Sequence, residues 1–188
     1  MALDLKVFQF IHGLAGVSGV MDFFGIFFAE YLPYVFGIAL LFFILKRRGA
    51  REKLSAFFSV VFTGIVSSYI LTPIIKLIFP RERPFEFLKI LPLIPAGGPS
   101  FPSGNAAFFF AIAFVLFTMN RKWGVWFLLF AILNGAGQVF VGIHYPLDIV
   151  GSAVVGFITY LIFKFSFSHG NEPIAESDPE ENTEGSEA

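Results

Sequence analysis

Long apolar runs separated by short polar breaks dominate this chain. Spanning the hydrocarbon core takes about 20 predominantly apolar residues, and four runs approach that length: Leu54 to Ile75, Phe101 to Thr118, Trp123 to Ile143 and Ile149 to Phe165. A fifth, Tyr31 to Leu45, is short unless it reaches back through Phe23 to Ala29, which would bring Glu30 near an interface. Residues Leu5 to Gly25 mix apolar positions with Gly13, Gly16, Gly19 and Asp22. They read as an interfacial or re-entrant helix pair, with a sixth full span as the alternative. The expected architecture is therefore all-α, an integral membrane helical bundle with five transmembrane helices, or six in the alternative, plus N-terminal interfacial helices.

Composition agrees with the pattern. Hydrophobic residues make up 56% of the 188 and charged residues only 14%, against about 25% charged in soluble domains. A soluble domain of this size could not hide 28 Phe residues, whereas helices facing lipid have no need to. With no Cys, disulfides, thiolate metal sites and a cysteine nucleophile are excluded. The N-terminus has no basic segment and small-residue cleavage site ahead of a hydrophilic chain, so no removable leader is expected.

The net charge of −1 conceals a division. Residues His169 to Ala188 hold seven of the 14 acids and none of the 13 basic residues, leaving 13 basic against seven acidic in residues 1–168, a net of +6. The chain divides into a cationic membrane domain, 1–168, and an acidic tail, 169–188, expected to be disordered and without a catalytic role. Basic residues in short loops mark the cytoplasmic side. Lys46, Arg47, Arg48, Arg51 and Lys53 follow the first long run, Arg121 and Lys122 the third, and Lys164 closes the last. Those ends and the tail are expected in the cytoplasm. The opposite loop also carries Lys76, Arg81, Arg83 and Lys89, an excess that makes sense if it binds phosphate.

Three segments hold most of the unusual polar residues: KLIFPRERP (Lys76 to Pro84), FPSGN (Phe101 to Asn105) and GQVFVGIHYPLD (Gly137 to Asp148). The spans bring all three to one membrane face. Lys76 and Arg83 can neutralise phosphate oxygens, Arg83 with a bidentate fork; either alone would more often snorkel at an interface. Ser103, followed by Gly104, can cap the next helix, whose first N–H groups then face an anion. By itself that is an ordinary cap. Asp148, four residues after His144, can accept from one imidazole nitrogen and leave the other free to attack phosphorus. An ionisable pair at a membrane edge in register with two cationic segments points to chemistry.

Together the segments resemble the three-part signature of the type 2 phosphatidic acid phosphatase family, and residues 7 to 165 resemble the bacterial undecaprenyl pyrophosphate phosphatases within it. The resemblance implies a metal-independent site without cofactor and a lipid phosphate substrate, polyprenyl or other, drawn from the surrounding membrane lipids of a bacterial cytoplasmic membrane. Nucleic acid is not an expected partner. It implies His144 as nucleophile through a phosphohistidine, Asp148 as its orienting carboxylate, and Lys76, Arg83, Ser103 and Gly104 as phosphate ligands. Two positions depart from the signature. Asn105 stands where the family has the histidine that protonates the leaving group, and Gln138 where it has an arginine. An amide donates no proton at useful pH. General acid catalysis contributes about 10²- to 10⁴-fold and a charge-assisted contact about 1.5 to 3 kcal/mol, so turnover is expected to be impaired. A pyrophosphate, whose leaving group is a phosphate monoester, would suffer least. Three readings follow: an impaired hydrolase of undecaprenyl diphosphate; a non-catalytic lipid-phosphate binder, either diverged or deliberately inactivated; and a membrane scaffold, which the joint spacing makes the weakest.

Overall fold

The computed structural model describes residues 2–168, so the expectation for the acidic tail lies outside the described residues. It contains seven helices: α1 Ala2–His12, α2 Gly19–Leu45, α3 Ala50–Ile78, α4 Pro84–Leu88, α5 Gly104–Met119, α6 Arg121–Phe140 and α7 Pro146–Ser168. Four of them, α2, α3, α6 and α7, are long and apolar enough to cross a membrane. The chain is an integral membrane protein built of helical spans.

The centre of the bundle is α5, which packs against α3, α6 and α7. It is apolar on every side, as a surrounded helix must be, and Ala106, Ala107, Ala111 and Ala113 are wholly buried within it. Small residues let neighbouring helices approach closely. At Gly156 of α7 a Cβ would sit 2.7 Å from the backbone nitrogen of Ala111. Phe36 of α2 seals the far half, its ring 4.4 Å from those of both Phe109 and Phe127. Ile38, Phe58, Leu77 and Val154 remain exposed on the outer faces, the surface that lipid would cover.

At 16 residues, α5 is about 24 Å long, several ångströms short of the roughly 30 Å hydrocarbon core. Side-chain caps fix its ends. Ser103 accepts from the Ala106 N–H at 3.3 Å, and Asn120 accepts from the Trp123 N–H at 3.2 Å, starting α6. Four of the five expected spans are met, by α2, α3, α6 and α7, the first of them starting at Gly19 and not at Tyr31; the run from Phe101 to Thr118 forms the shorter α5, and the run from Trp123 ends at Phe140 and yields a turn over residues 141–145.

The N-terminal expectation is corrected. Only Ala2–His12 forms a separate helix, and Gly19 to Gly25 are the opening turns of α2. The eleven-residue α1 is far too short to be a sixth span. Both α2 and α3 contain one π-helical stretch, Phe27–Tyr31 and Val66–Leu71. Each lies just before a proline, Pro33 or Pro73. A proline inside a helix lacks the N–H for the carbonyl four residues back and clashes with it, and widening the preceding turn relieves both problems. The carbonyl that Pro33 cannot serve is that of Ala29. It accepts instead from the Asn134 side-chain amide of α6 at 3.1 Å, and the Phe28 carbonyl from the same nitrogen at 2.9 Å.

Candidate functional site

The loop after α3 folds back over the start of α5 and meets the turn between α6 and α7. The Ser100 N–H donates to the Arg81 carbonyl at 2.7 Å and the Leu93 N–H to the Val141 carbonyl at 3.0 Å. Beneath it is a cavity of about 600 Å³ lined by Lys76, Arg83, Ser103, Gly104, Asn105, Gln138 and His144, together with Glu30. All the expected site residues meet there except Asp148, which lies directly behind His144.

Gly142 makes the turn that presents His144. Its φ of +90° is strained for a side-chain-bearing residue, and a Cβ would meet the His12 ring at 2.9 Å. His12 Nδ1 is 2.8 Å from the Phe140 carbonyl, pinning α1 under the turn. At its start, Pro146 suits the first turn of α7, and the Tyr145 N–H donates to Asp148 Oδ2 at 2.8 Å.

His144 Nδ1 lies 3.3 Å from Asp148 Oδ2, and Nε2 lies 3.3 Å from Arg83 Nη1. Since Arg83 can only donate and ionised Asp148 can only accept, the proton belongs on Nδ1 and the lone pair on Nε2. Burial pushes the imidazole below its ordinary pKa, against the pull of Asp148 and with help from Arg83 and Lys76. It is neutral at neutral pH, as a nitrogen nucleophile must be. Asp148 is fully buried and both of its oxygens are engaged: Oδ2 also accepts from Ser100 Oγ, and Oδ1 from Arg81 Nη1 at 2.8 Å.

The two expected phosphate cations are held by the loop. Arg83 Nε donates to the Gly98 carbonyl at 2.9 Å, Nη2 to Gly97 at 2.8 Å and Nη1 to Ile143 at 2.9 Å. Burial lowers its pKa, opposed by Asp148 and Glu86, and a guanidinium stays charged under those conditions. Lys76 Nζ donates to the Pro99 carbonyl at 2.7 Å. Opposite them is the start of α5, whose first N–H groups have no partner within the helix. Ser152 ties this end to α7, its hydroxyl 2.9 Å from the Ser103 carbonyl and 2.6 Å from that of Asp148.

The two departures differ in setting. Asn105 is exposed to the cavity. Gln138 is 1% exposed and closed into a neutral chain: Ser103 Oγ donates to its Oε1 at 2.7 Å, and its Nε2 donates to Asn134 Oδ1 at 2.5 Å. Gln138 is thus integrated into the core that supports the α2 π-turn. The sequence reading missed Asp4, Ser100 and Asn134, and counted Arg81 only as loop charge. Ser100 and Arg81 fall inside or beside the polar segments, a signal that could have drawn them in; nothing in the sequence marks Asp4 or Asn134.

Residues 53–169 match the PAP2 superfamily, and the chain belongs to that superfamily. It is 32% identical over 168 residues to undecaprenyl-diphosphatase BcrC of Bacillus subtilis, covering 87% of this chain and 84% of that one. To an undecaprenyl-diphosphatase of Sulfolobus acidocaldarius it is 27% identical, covering 83% and 74%. Among solved structures, Aquifex aeolicus LpxE superposes with a TM-score of 0.70 at 30% identity over 87% of this chain and 95% of that one. A transmembrane PAP2-type phosphatidylglycerolphosphate phosphatase of Bacillus subtilis shares the fold, with a TM-score of 0.61 at 18% identity over 92% and 88%.

Proposed function

We propose that this protein is a membrane lipid phosphatase that hydrolyses undecaprenyl diphosphate to undecaprenyl phosphate, with turnover reduced by the absence of a histidine at position 105. The observation that carries the proposal is His144: a buried neutral imidazole with Nδ1 toward Asp148 and Nε2 on a cavity that also holds Lys76, Arg83 and a helix N-terminus. Arg83, Lys76 and the N–H groups at Gly104 and Asn105 bind the terminal phosphate, and Ser103 holds that helix end in place. Nε2 attacks phosphorus as the bond to the bridging oxygen breaks, giving a phosphohistidine and undecaprenyl phosphate. Nδ1 keeps its proton and donates to Asp148, which stabilises the charge that develops on the ring. Water then attacks the phosphohistidine, and inorganic phosphate leaves.

A pyrophosphate fits this site better than a monoester because its leaving group departs without a proton. Release of inorganic phosphate by the detergent-solubilised protein should accordingly be fastest from undecaprenyl diphosphate and slower from phosphatidic acid, phosphatidylglycerol phosphate and lipid A phosphates. No release from any of the four would overturn the proposal. A second reading, lipid-phosphate binding without turnover, draws on Asn105 and on the neutral bonds that occupy Gln138. Against it stands the paired His144 and Asp148, which binding alone does not require.

Binding and chemistry separate experimentally. Arg83→Ala or Lys76→Ala removes a charge-assisted contact and is expected to weaken lipid-pyrophosphate affinity by about tenfold to a hundredfold. Equilibrium binding of the substrate to the His144→Ala background reads this without turnover, and unchanged affinity in both would remove the phosphate cradle.

We further propose that α5 is the fifth crossing and that the cavity opens on the outer face, with residues 46–53 and the tail in the cytoplasm. The basic cluster at Lys46 to Lys53 supports this orientation. Single cysteines at Gly98 and Gly49, challenged in intact cells with an impermeant thiol reagent, should label at Gly98 alone. Labelling at Gly49 alone would invert the assignment.

A further inference from the structure

Helix α1 lies outside residues 53–169, yet it delivers a carboxylate to the turn that carries His144. Asp4 is 4% exposed. Its Oδ1 accepts from the Leu147 N–H at 2.9 Å, capping α7 from the other end of the chain. Its Oδ2 accepts from Arg81 Nη2 at 2.5 Å. The other arm of the same guanidinium, Nη1, donates to Asp148 Oδ1 at 2.8 Å, and its Cζ lies 3.9 Å from the centroid of the Tyr145 ring. Arg81 therefore forks between two carboxylates. It is absent from the cavity lining that Arg83, two residues on, helps to form.

A charge pair whose task was only to dock α1 would have no need of Asp148. The wholly buried Phe8, packed on Tyr145 at 5.4 Å between ring centroids, already supplies docking. What the fork adds is control over Asp148. Arg81 fixes Oδ1 so that Oδ2 faces His144, and Asp4, sharing the guanidinium, limits how much of its charge falls on Asp148.

We propose that Asp4 and Arg81 are positioning residues, a carboxylate–guanidinium relay that orients Asp148 and sets how strongly it accepts from His144. The proposal rests on the phosphatase reading for its catalytic meaning. Its physical consequence is a pair of opposite effects. Removing the charge of Asp4 leaves Arg81 wholly to Asp148, which weakens the carboxylate as an acceptor and makes the imidazole less basic. Removing Arg81 frees Asp148 and makes the imidazole more basic. The other charged or titratable groups around His144 are Arg83 on the loop, Lys76 on α3, the neighbouring Tyr145, Glu30 of α2 in the cavity lining and His12 of α1 against Gly142; none is altered in these variants.

The test uses the full chain in detergent. The His144 imidazole is titrated by NMR, its resonance assigned as the one lost in His144→Ala, and phosphate release from undecaprenyl diphosphate is measured against pH. In Asp4→Asn the titration midpoint and the acid limb of kcat/KM should both move to lower pH. In Arg81→Met both should move to higher pH, and the double variant should match Arg81→Met, because Asp4 reaches Asp148 only through the guanidinium. Carboxylates and donors that orient the ligands of a metal site cost about 10- to 100-fold when lost; by the same logic kcat of Asp4→Asn should fall by about tenfold while KM changes little. Asp4→Glu should restore most of it. Asp4→Asn is nearly isosteric, so together with Asp4→Glu it carries the test alone should Arg81→Met not fold.

A merely structural ion pair would lower the folded fraction while leaving the His144 midpoint of the folded protein unmoved, and that result overturns the proposal. So do midpoints that move in the same direction in both single variants. A parent protein that releases no phosphate but shows the opposite midpoint shifts refutes the phosphatase reading and leaves the relay standing. A parent that releases phosphate with unmoved midpoints does the reverse.

Discussion

Asn105→His is expected to raise phosphate release from a lipid phosphomonoester by about 10²- to 10⁴-fold, the range that a positioned general acid contributes. Position 105 is in the first turn of α5, exposed to the cavity that His144 lines. Among the described residues its side chain makes no hydrogen bond that the exchange would break. An imidazole there can protonate an alkoxide leaving group, which the amide cannot. The gain on undecaprenyl diphosphate should be smaller, since its leaving phosphate needs no proton. Initial rates on the two substrates, compared between parent and variant, check both expectations; equal gains on both would mean that the added imidazole acts in some way other than as the acid.

His144→Ala is expected to bring phosphate release to background in the parent and in Asn105→His alike. Neither Lys76, Arg83 nor a new histidine at 105 supplies a nitrogen backed by a buried carboxylate, and groups that act as one unit do not substitute for one another. Asp148→Asn should fall nearly as far. Its Oδ2 gathers the Tyr145 N–H, Ser100 Oγ and His144 Nδ1, and an amide there presents a single carbonyl oxygen to that set of donors while losing the charge that stabilises the imidazolium. Substrate binding should survive His144→Ala, because the cations and the helix N-terminus remain. Rates and equilibrium binding measured on the same preparations distinguish a lost nucleophile from a lost fold.

Gln138→Arg has a different expectation. The family's cation could be restored only by breaking the Ser103–Gln138–Asn134 chain. Asn134 also satisfies the Phe28 and Ala29 carbonyls beside the α2 π-turn, so a guanidinium at 138 disturbs the support of that turn as well as entering the cavity.

Much of the fold could be read from apolar run lengths, because the hydrocarbon core imposes a length on any helix that crosses it. The assembly of the site could be read as well, since three polar segments at alternate ends of successive spans must meet on one face. The assignment of Gly19 to Gly25 could not. Glycines at 13, 16 and 19 look like breaks at any of those positions, and the helix restarts at the last of them, with Ser18 accepting from the Val20 N–H. The relay was illegible for another reason: Asp4, Arg81 and Asp148 are brought together only by tertiary packing of α1 beneath the turn, with 77 residues separating the first pair and 67 the second. Gln138 read as a lost cation because its partner, Asn134, lies one helical turn away in an otherwise apolar stretch with nothing to single it out.

In the proposed reaction His144 attacks the terminal phosphate of a lipid pyrophosphate. The most direct test is inorganic phosphate release from undecaprenyl diphosphate by the purified parent and by His144→Ala, each verified as folded by its helicity and elution volume. Measurable release by the parent and none above background from the variant are expected. Equal release by both proteins would contradict attack by His144.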